Sequence, residues 1–127
     1  VFYEGQLWDA CSLVEKLIGR AKKTILLIDS WVGPGTLDML AKKRKGVVVE
    51  VVTSPRGNKL AASDIAKFTA QYGGLSVKTS TAFHDRFLII DDKELYLIGA
   101  SLKDLGKKCF GFTKMDSGEI VAIKARI

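Results

Sequence analysis

The sequence predicts an α/β domain, a layered mixed β-sheet with helices on both faces. Two observations carry this expectation. Segments with apolar residues at helical spacing alternate with short, wholly apolar runs of strand length over the first eighty residues. From residue 87 onward the alternation gives way to consecutive strand-like runs separated by turns, which adds antiparallel strands to a parallel set.

Residues 6 to 21 place Leu7, Cys11, Val14, Leu17, Ile18 and Ala21 on one helical face, and the strand run TILLI at 24 to 28 follows at once. Gly33, Pro34 and Gly35 punctuate the chain before a short helix with Leu37, Leu40 and Ala41 inward, and VVVEVVT at 47 to 53 is the next strand. A helix between two strands is a crossover, which favours parallel pairing. After the turn-like SPRGN, a third helix carries Leu60, Ala61, Ile65, Phe68 and Tyr72 inward and stops at Gly73 and Gly74. LSVKT supplies a third strand, then FLIID, a tight turn from Asp91 to Glu94, LYLIG, and CFGFTK. The final EIVAIKARI suits a strand or a helix equally.

The 127 residues fit one domain, expected to span 1–127 without linkers. Twenty Lys and Arg against 14 Asp and Glu give a formal charge of +6, which leans toward polyanionic partners. Cys11 and Cys109 stand far apart without metal-ligand spacing, which argues against a zinc site or a disulfide framework and points to a reducing, cytoplasmic setting. Neither a metal nor another cofactor is expected. No apolar run reaches the roughly 18 to 20 residues that span a bilayer, and no lipid-facing amphipathic anchor is evident, so no membrane partner is expected. The chain opens on Val1, which suggests a domain excised from a longer protein.

The chemistry concentrates in AFHDRFLIIDDKELYLIGASLKDLGKK. It holds the only histidine, His84, with Arg86 two residues on and Asp91 five beyond that. A run apolar at every position belongs to a strand covered on both faces, so His84 falls just before a central strand and Asp91 at its far end. In extended chain His84 and Arg86 point to the same side. Arginine grips phosphate oxygens through a planar fork and stays charged, and a neighbouring histidine attacks phosphorus or gives up a proton.

His84-x-Arg86-x4-Asp91 resembles the H-x-K-x4-D motif of the phospholipase D superfamily, with arginine in the lysine position, and GAS at 99 to 101 falls about where that superfamily carries Gly-Ser-x-Asn. The order of helices and strands resembles one half of that fold, so the likeness covers most of the chain. HDRFLIID, IGASLKDLGKK and AKKTILLIDSWV more narrowly resemble a degenerate phospholipase D-like domain at the C-terminus of bacterial and phage-type regulatory proteins, behind an N-terminal DNA-binding module. The resemblance implies metal-free phosphodiester chemistry, in which two motifs meet across a twofold axis. One histidine becomes a phosphohistidine, the other protonates the leaving oxygen, and each aspartate orients a histidine. A single-motif chain must then form a homodimer. The catalytic set carried over is His84, Arg86 and Asp91, with Arg86, Ser101 and Lys103 on phosphate.

Two departures qualify the match. Arg86 keeps the charge of lysine and changes its shape. Lys103 stands where the asparagine belongs, and it is a candidate to supply the ammonium group that Arg86 displaced, giving a rearranged site of His84, Arg86, Ser101 and Lys103. Two functions follow: a degenerate domain serving as a nucleic-acid-associated binding or dimerisation module of a regulatory protein, or a metal-independent phosphodiesterase or nuclease acting as a homodimer through His84.

Other residues carry weaker expectations. Asp29, Ser30, Thr53 and Ser54 follow strands and stand where open α/β sheets form their crevice, although polar residues end most strands. The KKRK run at 42 to 45 suits a phosphate backbone or, more simply, a solvated helix end. GKK at 106 to 108 lies nearer the candidate site. Trp8 and Trp31 read as packing residues, Trp31 with the weaker claim, and Asp91 equally suits the first position of a turn.

Overall fold

The computed structural model describes residues 7–99 and 112–127, with side chains for 12–99 and 113–127. In chain order the elements are α1 (Leu7–Arg20), β1 (Thr24–Ile28), α2 (Pro34–Leu40), β2 (Val48–Thr53), α3 (Ala62–Tyr72), β3 (Leu75–Thr79), β4 (Arg86–Ile90), β5 (Glu94–Ile98), β6 (Phe112–Met115) and α4 (Glu119–Lys124). The six strands form one sheet in the order β3-β2-β1-β4-β5-β6. β1, β2 and β3 run parallel, while β4, β5 and β6 are added antiparallel, β4 against β1. The α/β mixed sheet expected from the sequence is therefore the architecture observed.

Strand alternation sorts the core into two layers. Ile25, Leu27, Val49, Val51, Leu88, Ile90, Tyr96 and Ile98 pack with Val14, Leu17 and Ile18 of α1, Leu37 and Leu40 of α2, and Phe68 of α3. Leu26, Ile28, Val52, Phe87, Ile89 and Leu95 face the other way, against Phe83 and against Ile120 and Ile123 of α4. β1 and β4 lie in the middle of the sheet and are buried on both faces, which is why their sequences are unbroken apolar runs.

The ambiguous C-terminal segment is a helix. Ile120 and Ile123, three apart, are its buried residues, a spacing that fits a helical face and not a strand. The third helix is seated more shallowly than its periodicity predicts: Phe68 is buried, whereas Ala61 and Tyr72 are exposed. It covers β3, an edge strand that is itself only half-buried, so there is little apolar surface for its outer positions to meet.

Candidate functional site

Because β4 runs antiparallel to β1, the start of β4 and the end of β1 share one edge of the sheet. Ile28 pairs with Phe87, so Asp29, just past the end of β1, and Arg86, the first residue of β4, stand opposite one another. Asp29 Oδ1 lies 3.4 Å from Arg86 Nε and accepts the backbone N–H of Trp31 at 3.0 Å. The carboxylate is 1% exposed and the arginine side chain 29%. Burying a carboxylate this deeply is costly unless it is paired and hydrogen-bonded, as Asp29 is here. It holds the guanidinium of Arg86 at Nε, in a side chain that is partly exposed at the edge.

The loops around this pair are braced. Ser54 Oγ donates to the Ser30 carbonyl at 2.7 Å and accepts from the Gly57 N–H at 2.9 Å. Gly57 is required by close approach: a Cβ there would stand 1.7 Å from the Ser30 carbonyl oxygen. Val32 N–H donates to the Gly57 carbonyl and Lys59 N–H to the Val32 carbonyl, which ties the β1–α2 loop to the β2–α3 loop. The segment before β4 is held from two sides. Ser30 Oγ donates to the Phe83 carbonyl at 3.4 Å, while Arg126 donates to the Ala82 carbonyl and lies 4.5 Å over the Phe83 ring. Phe83 is buried, and the next residue, His84, is exposed. Among the described residues His84 has no hydrogen-bond or ion-pair partner.

The structure brings His84, Arg86, Asp29, Ser30 and Ser54 to one edge, the C-terminal edge of the parallel strands. Thr53 ends β2 there, buried, with its hydroxyl unpaired among the described residues. Exposed Arg56 and Lys59 flank Gly57 on the same loop. They were not singled out from sequence, where their only signal was the SPRGN turn at a strand's C-terminal end. Arg126, distant in sequence, had no signal at all.

Asp91 is elsewhere. It follows the last residue of β4 at the opposite edge, where its carboxylate accepts the backbone N–H groups of Lys22, Lys23 and Thr24 at 2.7 to 3.1 Å. Asp91 and Asp92 both have a φ of 55°, and Lys93 N–H donates to the Ile90 carbonyl, the geometry of a type I′ hairpin turn. Burial raises the Asp91 pKa, but the three backbone hydrogen bonds and the Lys93 charge outweigh it and hold the carboxyl below its ordinary value. The expectation that Asp91 orients His84 is thus corrected: the residues occupy opposite ends of β4, and the carboxylate is spent on the start of β1. Ser101, Lys103 and the GKK run at 106 to 108 lie outside the described residues, as do Cys109 and the side chains of Trp8 and Cys11.

The KKRK run also belongs to the opposite edge. Lys43 Nζ donates to the Tyr72 carbonyl at 2.7 Å, Arg44 Nε to the Gly19 carbonyl at 2.9 Å, and Lys42 pairs with Glu15 at 3.5 Å. Gly19 and Tyr72 lie in the last turns of α1 and α3, so these cations satisfy helix C-termini. Trp31 is 44% exposed, so the expectation that it packs is corrected. No helix among the described residues is long and apolar enough to cross a membrane.

No family model matches the chain, and no curated protein is similar to it in sequence. Solved structures are similar in fold. NucT from Helicobacter pylori superposes with a TM-score of 0.74 at 15% identity, over 98% of this chain and 89% of its own. Nuc from Salmonella typhimurium, a phospholipase D family member, superposes with a TM-score of 0.64 at 23% identity, over 90% of this chain and 81% of its own. TrmBL2, an archaeal chromatin protein with a novel mode of DNA binding, gives 0.58 at 17% identity, over 94% of this chain and 44% of its own. The fold is phospholipase D-like.

Proposed function

We propose that this domain binds nucleic acid through the edge of the sheet that carries Arg86, as a degenerate phospholipase D-like module of a regulatory protein. The observation that carries this reading is the Asp29–Arg86 pair. A buried carboxylate anchors, through Nε, an arginine whose side chain is partly exposed at the edge where His84, Arg56 and Lys59 are exposed. An anchored guanidinium is suited to phosphate because its fork is already oriented. The net charge of +6 and the structural similarity to a DNA-binding chromatin protein favour nucleic acid over lipid. Ser101 and Lys103 are proposed to add to the phosphate contacts. A homodimer behind an N-terminal DNA-binding module is the proposed setting, and no metal is assigned a role.

The test is fluorescence anisotropy with labelled oligonucleotides across a salt series. Binding is expected, with an affinity that falls as salt rises and a salt slope about one unit shallower in Arg86→Ala. Salt-independent binding, or none, would sink the reading.

The exposure of His84 favours a second reading, a metal-independent phosphodiesterase. In it a His84 ring nitrogen forms a bond to phosphorus as the ester P–O bond breaks. The histidine of a second copy protonates the leaving oxygen, and water then cleaves the phosphohistidine. Chelator-resistant cleavage of bis(p-nitrophenyl) phosphate or DNA, lost in His84→Ala, would establish this reading. The binding reading expects no such cleavage.

A further inference from the structure

We propose that Trp31 is a stacking platform for an unpaired base, so that the partner of this edge is single-stranded nucleic acid. The proposal rests on the nucleic-acid reading above and specifies its substrate class. Trp31 stands between two residues that the fold buries, Val32 at 0% exposure and, one residue further back, Asp29 at 1%, yet is itself 44% exposed. Among the described residues its indole has no aromatic or hydrogen-bond partner. An exposed tryptophan on a loose loop would mean little. Here the backbone that carries it is fixed on every side.

The Trp31 N–H is held by Asp29 Oδ1, and the preceding carbonyl, of Ser30, is held by Ser54 Oγ and abuts Gly57. The following residue, Val32, exchanges backbone hydrogen bonds with the β2–α3 loop in both directions. A rigid aromatic presented outward loses little conformational freedom when a flat partner settles on it, which is what a binding platform needs. A packing residue displaced to the surface would gain nothing from such bracing.

The chemistry of the partner follows from the residues that share this edge with Trp31. The Trp31 backbone N–H and Arg86 Nε contact the same carboxylate oxygen, so Asp29 ties the backbone that carries the aromatic residue to the proposed phosphate clamp. Arg56 and Lys59 are exposed on the loop bonded to Val32 and offer further phosphate contacts. An exposed aromatic residue on the edge that also carries an anchored guanidinium and exposed cations matches alternating base and phosphate. Duplex bases are already stacked on their neighbours, so only an unpaired base has a face to give.

The experiment compares a labelled oligo(dT) with a duplex of equal length by anisotropy, using the wild-type chain, Trp31→Ala, Trp31→Phe and Arg86→Ala, each checked for folding by circular dichroism. Trp31→Ala is expected to lose about tenfold in affinity for oligo(dT), the order that one stacked base contributes, and to leave duplex affinity unchanged. Trp31→Phe is expected to recover part of the loss, because a smaller ring still offers a face. Oligo(dT) should also quench tryptophan emission in a Trp8→Phe background, where Trp31 is the sole emitter. Equal losses on both nucleic acids, or none, would overturn the platform while leaving the nucleic-acid reading intact, provided that Arg86→Ala weakens binding. Absence of binding by the wild-type chain, or indifference to Arg86→Ala, would remove the underlying reading and the platform with it. Self-association that is lost in Trp31→Ala without any change in oligo(dT) affinity would assign the ring to a second copy of this chain and overturn the proposal.

Discussion

The two ends of β4 are built from the same motif and treated oppositely by the fold. At its C-terminal end, Asp91 accepts three consecutive backbone N–H groups from the start of β1 and also occupies the first left-handed position of the hairpin turn. At its N-terminal end, Arg86 is anchored through Nε with its side chain still partly exposed, and His84 projects from a braced loop without a partner among the described residues. One end is turned wholly inward on the fold and the other keeps partly exposed side chains. Polar groups that the fold has satisfied contribute to stability, whereas exposed ones on a rigid frame are available for a ligand. Spacing in sequence does not separate these roles; direction along a strand does.

The largest expected effect lies at the saturated end. Asp91→Ala removes the acceptor for three N–H groups and places alanine at a φ of 55°, where aspartate is better tolerated. A loss of about 2 to 3 kcal/mol is expected from urea denaturation, the range for charged hydrogen bonds at a half-buried site, while oligonucleotide affinity should stay unchanged in the folded protein. If Asp91→Ala instead spares stability and weakens binding, the division of β4 into a structural and a ligand-facing end is wrong.

Next in size is Arg86→Ala at the open end. Losing one phosphate contact is expected to weaken oligonucleotide binding by about tenfold at low salt. Stability should also drop, by about 1 to 2 kcal/mol, because Asp29 is left buried without the guanidinium. A double-mutant cycle with Asp29→Asn separates the two: the stability terms of the pair should couple, since Asp29 and Arg86 touch. Purely additive terms would mean that Asp29 does not position Arg86.

A smaller and pH-dependent difference should mark the saturated end alone. The folded pKa of Asp91 lies below its ordinary value of 3.8, so the folded state binds fewer protons than the unfolded state in the interval between the two. Its contribution to stability is therefore complete above 3.8 and is lost as pH falls through the lowered folded value. Urea midpoints measured downward from pH 5 should fall less steeply in Asp91→Asn than in the wild-type chain. Parallel curves would show that the hydrogen bonds from Lys22, Lys23 and Thr24 do not favour the charged carboxylate.

Most of the fold was legible because its strands are either wholly apolar or bounded by turn residues. TILLI and FLII could only be central strands, and the crossover through Pro34–Leu40 dictated parallel pairing. The third helix misled because periodicity reports which residues can face a core, while burial depends on whether the sheet beneath has apolar surface left to cover. That His84 and Arg86 share an edge was readable from their spacing, and that Asp29 joins them from its place after a strand. Arg56 and Lys59 were hidden in a turn that looked purely connective, and Arg126 acts from a helix joined to the site only through tertiary packing. The basic run at 42 to 45 carried the strongest charge signal in the chain and proved to be the least relevant to the site, because local composition does not say which edge of a sheet a loop serves.

The smallest expected effect is the one that divides the two functions. His84→Ala removes an exposed ring with no partner among the described residues, so stability should change by no more than about 0.5 kcal/mol, and oligonucleotide binding should change little beside the loss in Arg86→Ala. A histidine that acts as a nucleophile needs its tautomer and orientation set by a second group. Asp91, the carboxylate the motif offers for that task, is committed to the far end of the strand. The candidates left are residues beyond those described, or a second copy of the chain. Silent behaviour of His84→Ala in binding and cleavage alike would mean that the open end of β4 serves recognition through Arg86. Loss of a chelator-resistant cleavage would mean that the open end is half of an active site, completed by what it meets in solution.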